Sequence, residues 1–197
     1  QSLLKSNDYN LVYKKAIEYY NKGDYQRAMN LLDGVRSVFV GQAKAQNIAY
    51  YRAFCSYNMK DYQIASDLFK QFIQTYPESS FAEECLYMMG FCDYKASPKP
   101  RLDQQVTEKA IREFQLYLSR YPYSMRKDKV NTYMDEMRDK LSYKAYLSAK
   151  NYYLREHYKA AVISLQNCLK DYPGSKYREE IMYMLFVSKY QMAVNLS

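Results

Sequence analysis

The stretch FIQTYPESSFAEECLYMMGFCDY at residues 72–94 returns 96 residues later as CLKDYPGSKYREEIMYMLFVSKY at residues 168–190. From Tyr76 to Tyr94, eight of nineteen positions are identical to those from Tyr172 to Tyr190. Structural repeats are usually about 20 to 50 residues long. An offset of 96 residues therefore indicates a whole number of shorter repeats within one chain.

Four copies of a shorter repeat align on four alanines, which are spaced 37, 45 and 51 residues apart: Ala28, Ala65, Ala110 and Ala161. Four residues after each alanine lies Leu or Phe, and eleven residues after it lies Phe or Tyr. In three of the four copies, proline follows that aromatic residue and tyrosine lies three residues before the alanine. The repeat is therefore about 34 to 37 residues long, with insertions in the later copies.

Each copy has the pattern of two α-helices joined by a short turn. In the first copy, Val12, Ala16 and Ile17 recur at helical spacing, and the turn NKGDY follows at residues 21–25. The second helix runs through the aligned alanine to the Tyr-Pro pair, because proline ends a helix. We interpret the alanine as small because the two helices cross there. No alternating strand pattern persists, so the sequence predicts an all-α tetratricopeptide-repeat helical solenoid of about ten helices in roughly five repeats.

Two departures from the repeat suggest how the chain is divided. The insertion KASPKPRLDQQVTEK at residues 95–109 precedes the second helix of the third repeat, and its prolines indicate a loop. Residues 123–160 contain neither Gly nor Pro, which predicts one long helix of roughly 30 residues. We expect residues 1–94 to hold the first two repeats and the first helix of the third. Residues 95–197 then hold the loop, the rest of the third repeat, the long helix and the last two repeats, within one continuous solenoid.

The charge is unevenly distributed. The net charge is +8, and residues 95–150 contain 13 Lys and Arg against 7 Asp and Glu. A basic segment of this kind favours an acidic protein surface, anionic lipid or nucleic acid as a neighbour, and the alternative is a solvated helix surface with no partner. The best candidates for partner binding lie in or beside loops: Lys99, Arg101, Arg126, Lys127 and Lys129.

No residue pattern indicates catalysis. The single histidine, His157, occupies the turn position that Asp24 and Asp61 hold in other copies, so we interpret it as a turn residue. The glutamate pairs at 83–84 and 179–180 open first helices, where carboxylates favour the positive end of the helix dipole. With no Gly-rich phosphate loop and no metal-ligand cluster, we predict a protein that is not an enzyme and uses no cofactor. Four cysteines in apolar helical stretches are interpreted as small buried hydrophobes: Cys55, Cys85, Cys92 and Cys168.

The remaining function is binding, and the first helices of such a solenoid line its groove. The repeat register directs nine side chains toward it: Tyr13, Ile17, Tyr20, Tyr50, Phe54, Tyr57, Tyr87, Phe91 and Tyr94. In the fourth repeat, Tyr146 and Tyr153 take the equivalent positions. An aromatic strip suits an extended peptide with apolar or aromatic side chains. The alternative is that tight curvature buries these rings as ordinary core.

Several segments, taken in order, carry a resemblance. They are DYQIASDLFKQFIQTYPES at residues 61–79, PRLDQQVTEKAIREFQLYLSRYPYS at 100–124, and KLSYKAYLSAKNYYLREHYKAAVISLQNCLKDYPGS at 140–175. The chain resembles the BamD family of outer-membrane assembly lipoproteins over nearly its whole length. The Pro-Arg insertion and the pattern of Leu, Tyr and Ala from Leu141 to Tyr153 are the most specific parts. The sequence departs from the family at Val40, where members often have proline.

The resemblance implies a scaffold on the periplasmic face of the outer membrane, anchored by an N-terminal lipid on a cysteine absent from this chain, whose ends look trimmed. Its last repeats would dock on the periplasmic domains of BamA, beside other assembly-machine subunits. Its first repeats would receive C-terminal segments of unfolded outer-membrane proteins, and nucleic acid is not an expected partner. The alternatives are another periplasmic repeat protein of envelope organisation, or a cytosolic adaptor or RNA-associated scaffold of the same repeat type.

Overall fold

The computed structural model describes residues 8–194, and these residues form nine α-helices and no strand. The predicted all-α repeat architecture is therefore confirmed, with nine helices in the described range where the sequence predicts about ten in the whole chain. The helices are α1 (Tyr9–Asn21), α2 (Tyr25–Val35), α3 (Ala43–Asn58), α4 (Tyr62–Thr75), α5 (Ala82–Ala96), α6 (Gln105–Arg120), α7 (Lys127–Leu154), α8 (Tyr158–Asp171) and α9 (Arg178–Val194).

The turn inside the first, second and fourth repeats has one backbone geometry. The residue before the N-cap of the second helix has a positive φ in each case, 80° for Gly23, 67° for Lys60 and 59° for Glu156. The next amide donates to the carbonyl five residues earlier, as from Asp24 to Tyr19 at 3.0 Å. This is a left-handed helix end of the Schellman type. It sets the register in which the second helix of these three repeats begins.

The chain divides into two compact units. The first reaches to Ser97 and includes Val106–Val130, so it holds α1 to α5 and nearly all of α6. The aligned alanines of this unit are fully buried, as expected where two helices pack closely. The largest fully buried side chains around them come from α1 to α6: Val12, Leu32, Ile48, Phe69, Phe72, Leu86, Phe114 and Tyr117.

The second unit comprises Pro98–Gln105 and the residues from Asn131 onward. Its core is formed by α7, α8 and α9, and Ala161 and Leu165 of α8 are fully buried. The helix α7 has 28 residues, so the single long helix predicted from the missing Gly and Pro is confirmed. The sequence predicts a division between residues 94 and 95, and that division stays a prediction. The two compact units have other boundaries, because α6 packs with the first unit.

The insertion forms an ordered loop in the second unit. The Gln104 side chain is buried and its amide donates to the carbonyls of Lys99 at 2.8 Å and Leu102 at 3.1 Å. The Lys144 amine of α7 also donates to the Leu102 carbonyl, at 2.8 Å. These bonds fix the backbone around Arg101, whose side chain is exposed.

The four cysteines are buried and unpaired, as the sequence predicts. Burial raises the pKa of the Cys55 and Cys85 thiols to about 12, which keeps them protonated at neutral pH. Across residues 8–194, no helix has both the length and the apolar character that crossing a membrane requires.

Candidate ligand-binding surface

A series of contacting aromatic rings runs through the first unit, and we call it the aromatic strip. Neighbouring ring centroids along it are 4.5 to 6.4 Å apart, within the range of favourable aromatic pairs. Three helices contribute: α1, α3 and α5. In order of contact, the strip is Tyr20, Tyr51, Tyr50, Phe54, Tyr57, Phe91, and then Tyr87 and Tyr94, which both contact Phe91.

The rings of the strip are half-buried, with one exception. Tyr87 is only 8% exposed and packs against Phe114 and Tyr117, so it belongs to the core rather than to a surface. Burial raises the pKa of Tyr20 to about 12, in keeping with a phenol largely enclosed by its neighbours. The other rings are all partly exposed, and four of them also contact buried core residues: Tyr20, Tyr51, Tyr50 and Phe54. The strip therefore combines features of the groove and of the core that the sequence left as alternatives.

Two predicted groove residues of α1 lie outside this series of rings. Tyr13 and Ile17 are half-buried, and Tyr13 contacts Phe39 at 6.2 Å rather than a ring of the strip. The Lys44 amine lies 5.8 Å from the Tyr13 ring centre and 5.3 Å from that of Phe39, which places a cation beside both rings. This end of the predicted groove is thus partly covered by a charged side chain.

Hydrogen bonds join the strip to the next repeat. The Tyr50 hydroxyl donates to Glu84 Oε2 at 2.8 Å, and the Tyr50 ring packs on Phe81 with centroids 4.6 Å apart. Burial, followed by the bond to Glu84, raises the pKa of Tyr50. The phenol is therefore fixed as a donor, and the side chain cannot move away from Glu84 without breaking this bond.

Glu83, the neighbour of Glu84, accepts two further hydrogen bonds. Ser124 Oγ donates to Glu83 Oε1 at 2.7 Å, and the buried Tyr117 hydroxyl donates to the same oxygen at 2.9 Å. The bond from Ser124, with that from Tyr117 and the charge of Arg126, lowers the pKa of Glu83. The glutamate pair that the sequence explains by the helix dipole therefore also ties α5 to α3 and to the end of α6.

Arg126, which we expect to reach outward to a partner, is 41% exposed and also faces two carboxylates of α5. Its guanidinium lies 3.8 Å from Glu83 and 3.9 Å from Glu84, and 5.1 Å from the centre of the Tyr87 ring. Two like-charged glutamates side by side attract a cation, and a flat guanidinium stacks well on a ring. Arg126 thus serves first to neutralise the glutamate pair.

The other basic candidates are exposed. Lys99 and Arg101 lie in the loop of the second unit, and Lys127 and Lys129 lie in the first turn of α7, within the first unit. Arg101 makes no ion pair with any carboxylate in the described part of the chain. These four side chains remain candidates for contact with an acidic partner.

The second unit repeats the arrangement around Tyr50. The Tyr146 hydroxyl donates to Glu180 Oε2 at 2.7 Å, and the Tyr146 ring stacks on Tyr177 at 4.4 Å. Each of these three residues lies 96 positions after its counterpart in the first unit. The Lys150 amine donates to both Tyr146 and Glu180. Its bond to Glu180 is the main cause that lowers the pKa of the Glu180 carboxyl.

The remaining polar candidates take structural places. His157 is the N-cap residue of α8, as the turn position predicts, and its side chain makes no capping hydrogen bond. Asp24 is the N-cap of α2, and its carboxylate accepts from the amide of Arg27 at 3.2 Å. Among residues 8–194, no three His, Cys, Asp or Glu side chains are grouped so that they could hold a metal ion.

The sequence reasoning missed Tyr51, Phe81 and Tyr177. Tyr51 lies between Tyr20 and Tyr50 and contacts both rings. The helical pattern did not indicate it, because adjacent residues of a helix point to different faces. Phe81 and Tyr177 carried a signal, since the 96-residue offset relates them in the same way as Tyr50 and Tyr146.

Fold and repeat geometry together define the class: this is a helical-repeat protein of the tetratricopeptide type. The family model of YfiO, described as outer membrane lipoprotein, matches residues 5–196. The chain therefore belongs to the YfiO family of outer membrane lipoproteins, which is the BamD family, and the resemblance read from the sequence is confirmed. Comparison with curated proteins gives no match.

Proposed function

We propose that this chain is a non-enzymatic scaffold subunit of the machinery that assembles β-barrel proteins in the outer membrane. Membership of an outer membrane lipoprotein family supports a role in the envelope over the cytosolic adaptor alternative. The observation that carries the proposal is the aromatic strip, because its contacting rings stay partly exposed along three successive first helices.

The ligands proposed for the strip are C-terminal segments of unfolded outer-membrane proteins. Such segments are extended β-strands that end in an aromatic residue, and side chains on one face of a strand repeat every ~6.6 Å. The centroid spacings of 6.4 Å between Phe54 and Tyr57 and 6.2 Å between Tyr57 and Phe91 are close to that repeat. An aromatic side chain could therefore contact one or two rings while the next side chain along its face contacts another.

The proposal predicts a preference for the terminal ring. A fluorescently labelled peptide of alternating polar and apolar residues that ends in Phe should bind the chain in an anisotropy titration. The same peptide with Ala in place of the final Phe should bind at least about fivefold more weakly, since an aromatic anchor supplies much of the contact. Equal affinity for the two peptides would contradict the proposal.

The proposed partners are the periplasmic domains of BamA and other subunits of the assembly machine. Lys99, Arg101, Lys127 and Lys129 are the residues that would meet an acidic surface on them. Exposed ion pairs contribute only about 0.2 to 1 kcal/mol each, so several must act together. Arg126 would contribute indirectly, by holding Glu83 and Glu84.

Charge reversal tests this docking. Changing Lys99, Arg101 and Lys127 together to Glu should slow association with the BamA periplasmic domains and flatten its dependence on ionic strength. The matched control reverses Lys14, Lys22 and Arg36, three exposed cations outside the basic segment. Docking through the basic segment is excluded if both triple variants associate at the wild-type rate at low and high salt.

We further propose that the protein lies on the periplasmic face of the outer membrane, held by an N-terminal lipid on a cysteine outside this chain. The family description supports the lipid. The chain's own four cysteines are buried in helices and are poor sites for acylation. Metabolic labelling of the precursor with a palmitate analogue, followed by membrane fractionation, should find the labelled protein with the outer membrane. Unlabelled protein in the soluble fraction would contradict the anchor.

A further inference from the structure

The second unit contains an open cleft of about 690 Å³ that the proposed client site does not use. This volume is in the range of ligand pockets. Three cations and three tyrosines line the cleft, and no carboxylate does; they are Arg101, Lys144, Lys150, Tyr143, Tyr146 and Tyr177. Leucines complete the apolar part of the wall. The cleft therefore combines a flat aromatic surface with positive charge.

The aromatic surface is a stack of three rings. Tyr177 lies 4.4 Å from Tyr146 with an angle of 13° between the ring planes, and 5.3 Å from Tyr143 with an angle of 30°. Tyr146 is buried, whereas Tyr143 and Tyr177 are half-buried. The hydroxyl of Tyr146 is occupied by its bonds with Glu180 and Lys150. The stack thus offers a preformed aromatic surface, and these hydrogen bonds hold the side chain of its buried member, Tyr146, in place.

The cations of the cleft are not equally available. Lys150 is neutralised by Glu180, at 2.7 Å. The Lys144 amine donates to the Leu102 carbonyl, which holds it beside the loop without neutralising its charge. Arg101 is exposed and forms no ion pair with a carboxylate of residues 8–194. Two positive charges, those of Arg101 and Lys144, are therefore left to attract an anion.

The repeat shows how this cleft differs from the aromatic strip. Tyr146 and Tyr177 correspond to Tyr50 and Phe81 at the 96-residue offset, but Lys150 stands where the strip has Phe54. The second unit therefore keeps the pair of packed rings and has a cation, Lys150, in place of the aromatic ring of Phe54. A ligand that suits both features carries a ring and a negative charge close together.

We propose that this cleft binds a short acidic segment of a protein partner, in which an Asp or Glu lies next to an aromatic residue. The aromatic side chain packs on Tyr143 and Tyr177, and the carboxylate pairs with Arg101 and Lys144. A planar guanidinium matches a carboxylate with two parallel hydrogen bonds. Attraction to an anionic membrane uses clusters of about 4 to 8 Lys or Arg, more than the two that are available here. The inference rests on the proposed scaffold function, since only a scaffold would have such a partner. Its test uses synthetic peptides and does not depend on that function.

The test uses the whole chain with its tyrosine rings isotope-labelled for NMR. The probe is the capped peptide Gly-Asp-Phe-Asp-Gly, with Gly-Asn-Phe-Asn-Gly and Gly-Asp-Ala-Asp-Gly as controls. Resonances of Tyr143 and Tyr177 should shift saturably with the probe, and both controls should bind at least about fivefold more weakly. Arg101→Gln should weaken binding of the probe by about five- to tenfold and leave the melting temperature of the protein unchanged. Arg155→Gln, an exposed arginine of the same unit that does not line the cleft, should leave the affinity unchanged.

Three results would overturn the inference: equal affinity for the three peptides, no effect of Arg101→Gln, or larger shifts with phosphatidylglycerol vesicles than with the probe. The Phe-ended client peptide is titrated into the same sample. If that peptide shifts Tyr57 of the strip while the acidic probe shifts nothing, the cleft proposal fails and the client proposal stands. If the acidic probe shifts Tyr143 and Tyr177 while the Phe-ended peptide shifts nothing, the cleft proposal stands and the client proposal fails.

Discussion

The Tyr50 hydroxyl donates a hydrogen bond to the Glu84 carboxylate at 2.8 Å, joining residues 34 positions apart. The same bond recurs between Tyr146 and Glu180 at 2.7 Å, again 34 positions apart. In each case a tyrosine on the first helix of one repeat reaches the first turn of the next first helix. This bond explains why the repeated stretch keeps its glutamates: they accept from the repeat before.

Removing this hydroxyl should weaken the first unit. We expect Tyr50→Phe to lower the free energy of unfolding by about 1 to 2 kcal/mol, because a bond to a charged acceptor is lost while the ring stays. Urea denaturation followed by circular dichroism measures the change. Tyr123→Phe is the matched control, since the Tyr123 ring is 97% exposed. Equal stability of Tyr50→Phe and Tyr123→Phe would show that the bond between repeats contributes nothing.

The turn geometry predicts a stabilising substitution. Lys60 has a φ of 67°, a conformation in which a residue with a Cβ is strained and glycine is not. Gly23 already occupies the equivalent position in the first repeat. Lys60→Gly should therefore raise the free energy of unfolding by about 0.5 to 1 kcal/mol, after the entropic cost of glycine is subtracted. Gly23→Ala should lower it. A destabilised Lys60→Gly protein in thermal melts would refute the left-handed turn.

Gly90 shows where a helix interior needs glycine. Helix propensity alone favours alanine there by about 1 kcal/mol. However, a Cβ at Gly90 would lie 2.9 Å from Cδ1 of Phe114, whose ring is fully buried and has little room to move. We expect Gly90→Ala to cost about 1 to 3 kcal/mol of stability, and Phe114→Leu to relieve part of that cost in the double variant. The exposed Gly34 of α2 is the control, and Gly34→Ala should not destabilise the protein. A Gly90→Ala protein that melts above wild type would contradict this packing.

A buried polar cluster gives the first unit a dependence on pH. Asp93 is 2% exposed, accepts from Ser66 Oγ at 3.0 Å and pairs with the Lys109 amine at 2.8 Å. Glu113 lies beside it, 3.7 Å from Lys109, and its Oε2 is buried. Burial, with the hydrogen bond to Asp93 and the charge of that carboxyl, raises the pKa of Glu113 to about 8.

The sign of the pH dependence follows from that pKa. Below the ordinary value of 4.5, Glu113 is protonated in both the folded and the unfolded chain. Between 4.5 and about 8 only the folded chain keeps the proton, so stability falls as pH rises, by up to ~1.4 kcal/mol per pH unit. Glu113→Gln should remove this slope, and the exposed Glu108→Gln of the same helix should retain it. Urea titrations at several pH values check the difference, and identical slopes in the two variants would contradict a protonated Glu113.

Much of the architecture was readable from the sequence because it rests on local patterns. The aligned alanines, the Tyr-Pro helix ends and the stretch without Gly or Pro each constrain the backbone near themselves. They predicted the helix pairs and the single long helix α7. The 96-residue offset also carried contact information, since it relates Tyr50 with Phe81 to Tyr146 with Tyr177.

The parts that could not be read depend on partners distant in sequence. Arg126 sits beside a loop, a place that predicts an outward side chain, yet the glutamate pair on α5 attracts it. Asp93 is likewise enclosed by residues distant in sequence, Lys109 and Ser66. Charge pairing of this kind has no periodicity. It becomes visible only when the helices are packed.

The central claim is that the aromatic strip binds aromatic-ended strands, and the most direct test is a ring-removing variant that keeps the packing. Tyr57→Leu with Phe91→Leu replaces two contacting rings by apolar side chains of smaller size. Affinity for the Phe-ended peptide should fall by at least about tenfold, while the melting temperature falls by no more than about 4 °C, because apolar volume is largely conserved. Tyr123→Leu, which removes an exposed ring outside the strip, should change neither quantity. Wild-type affinity in the double variant would contradict the claim and assign these rings to the core alone.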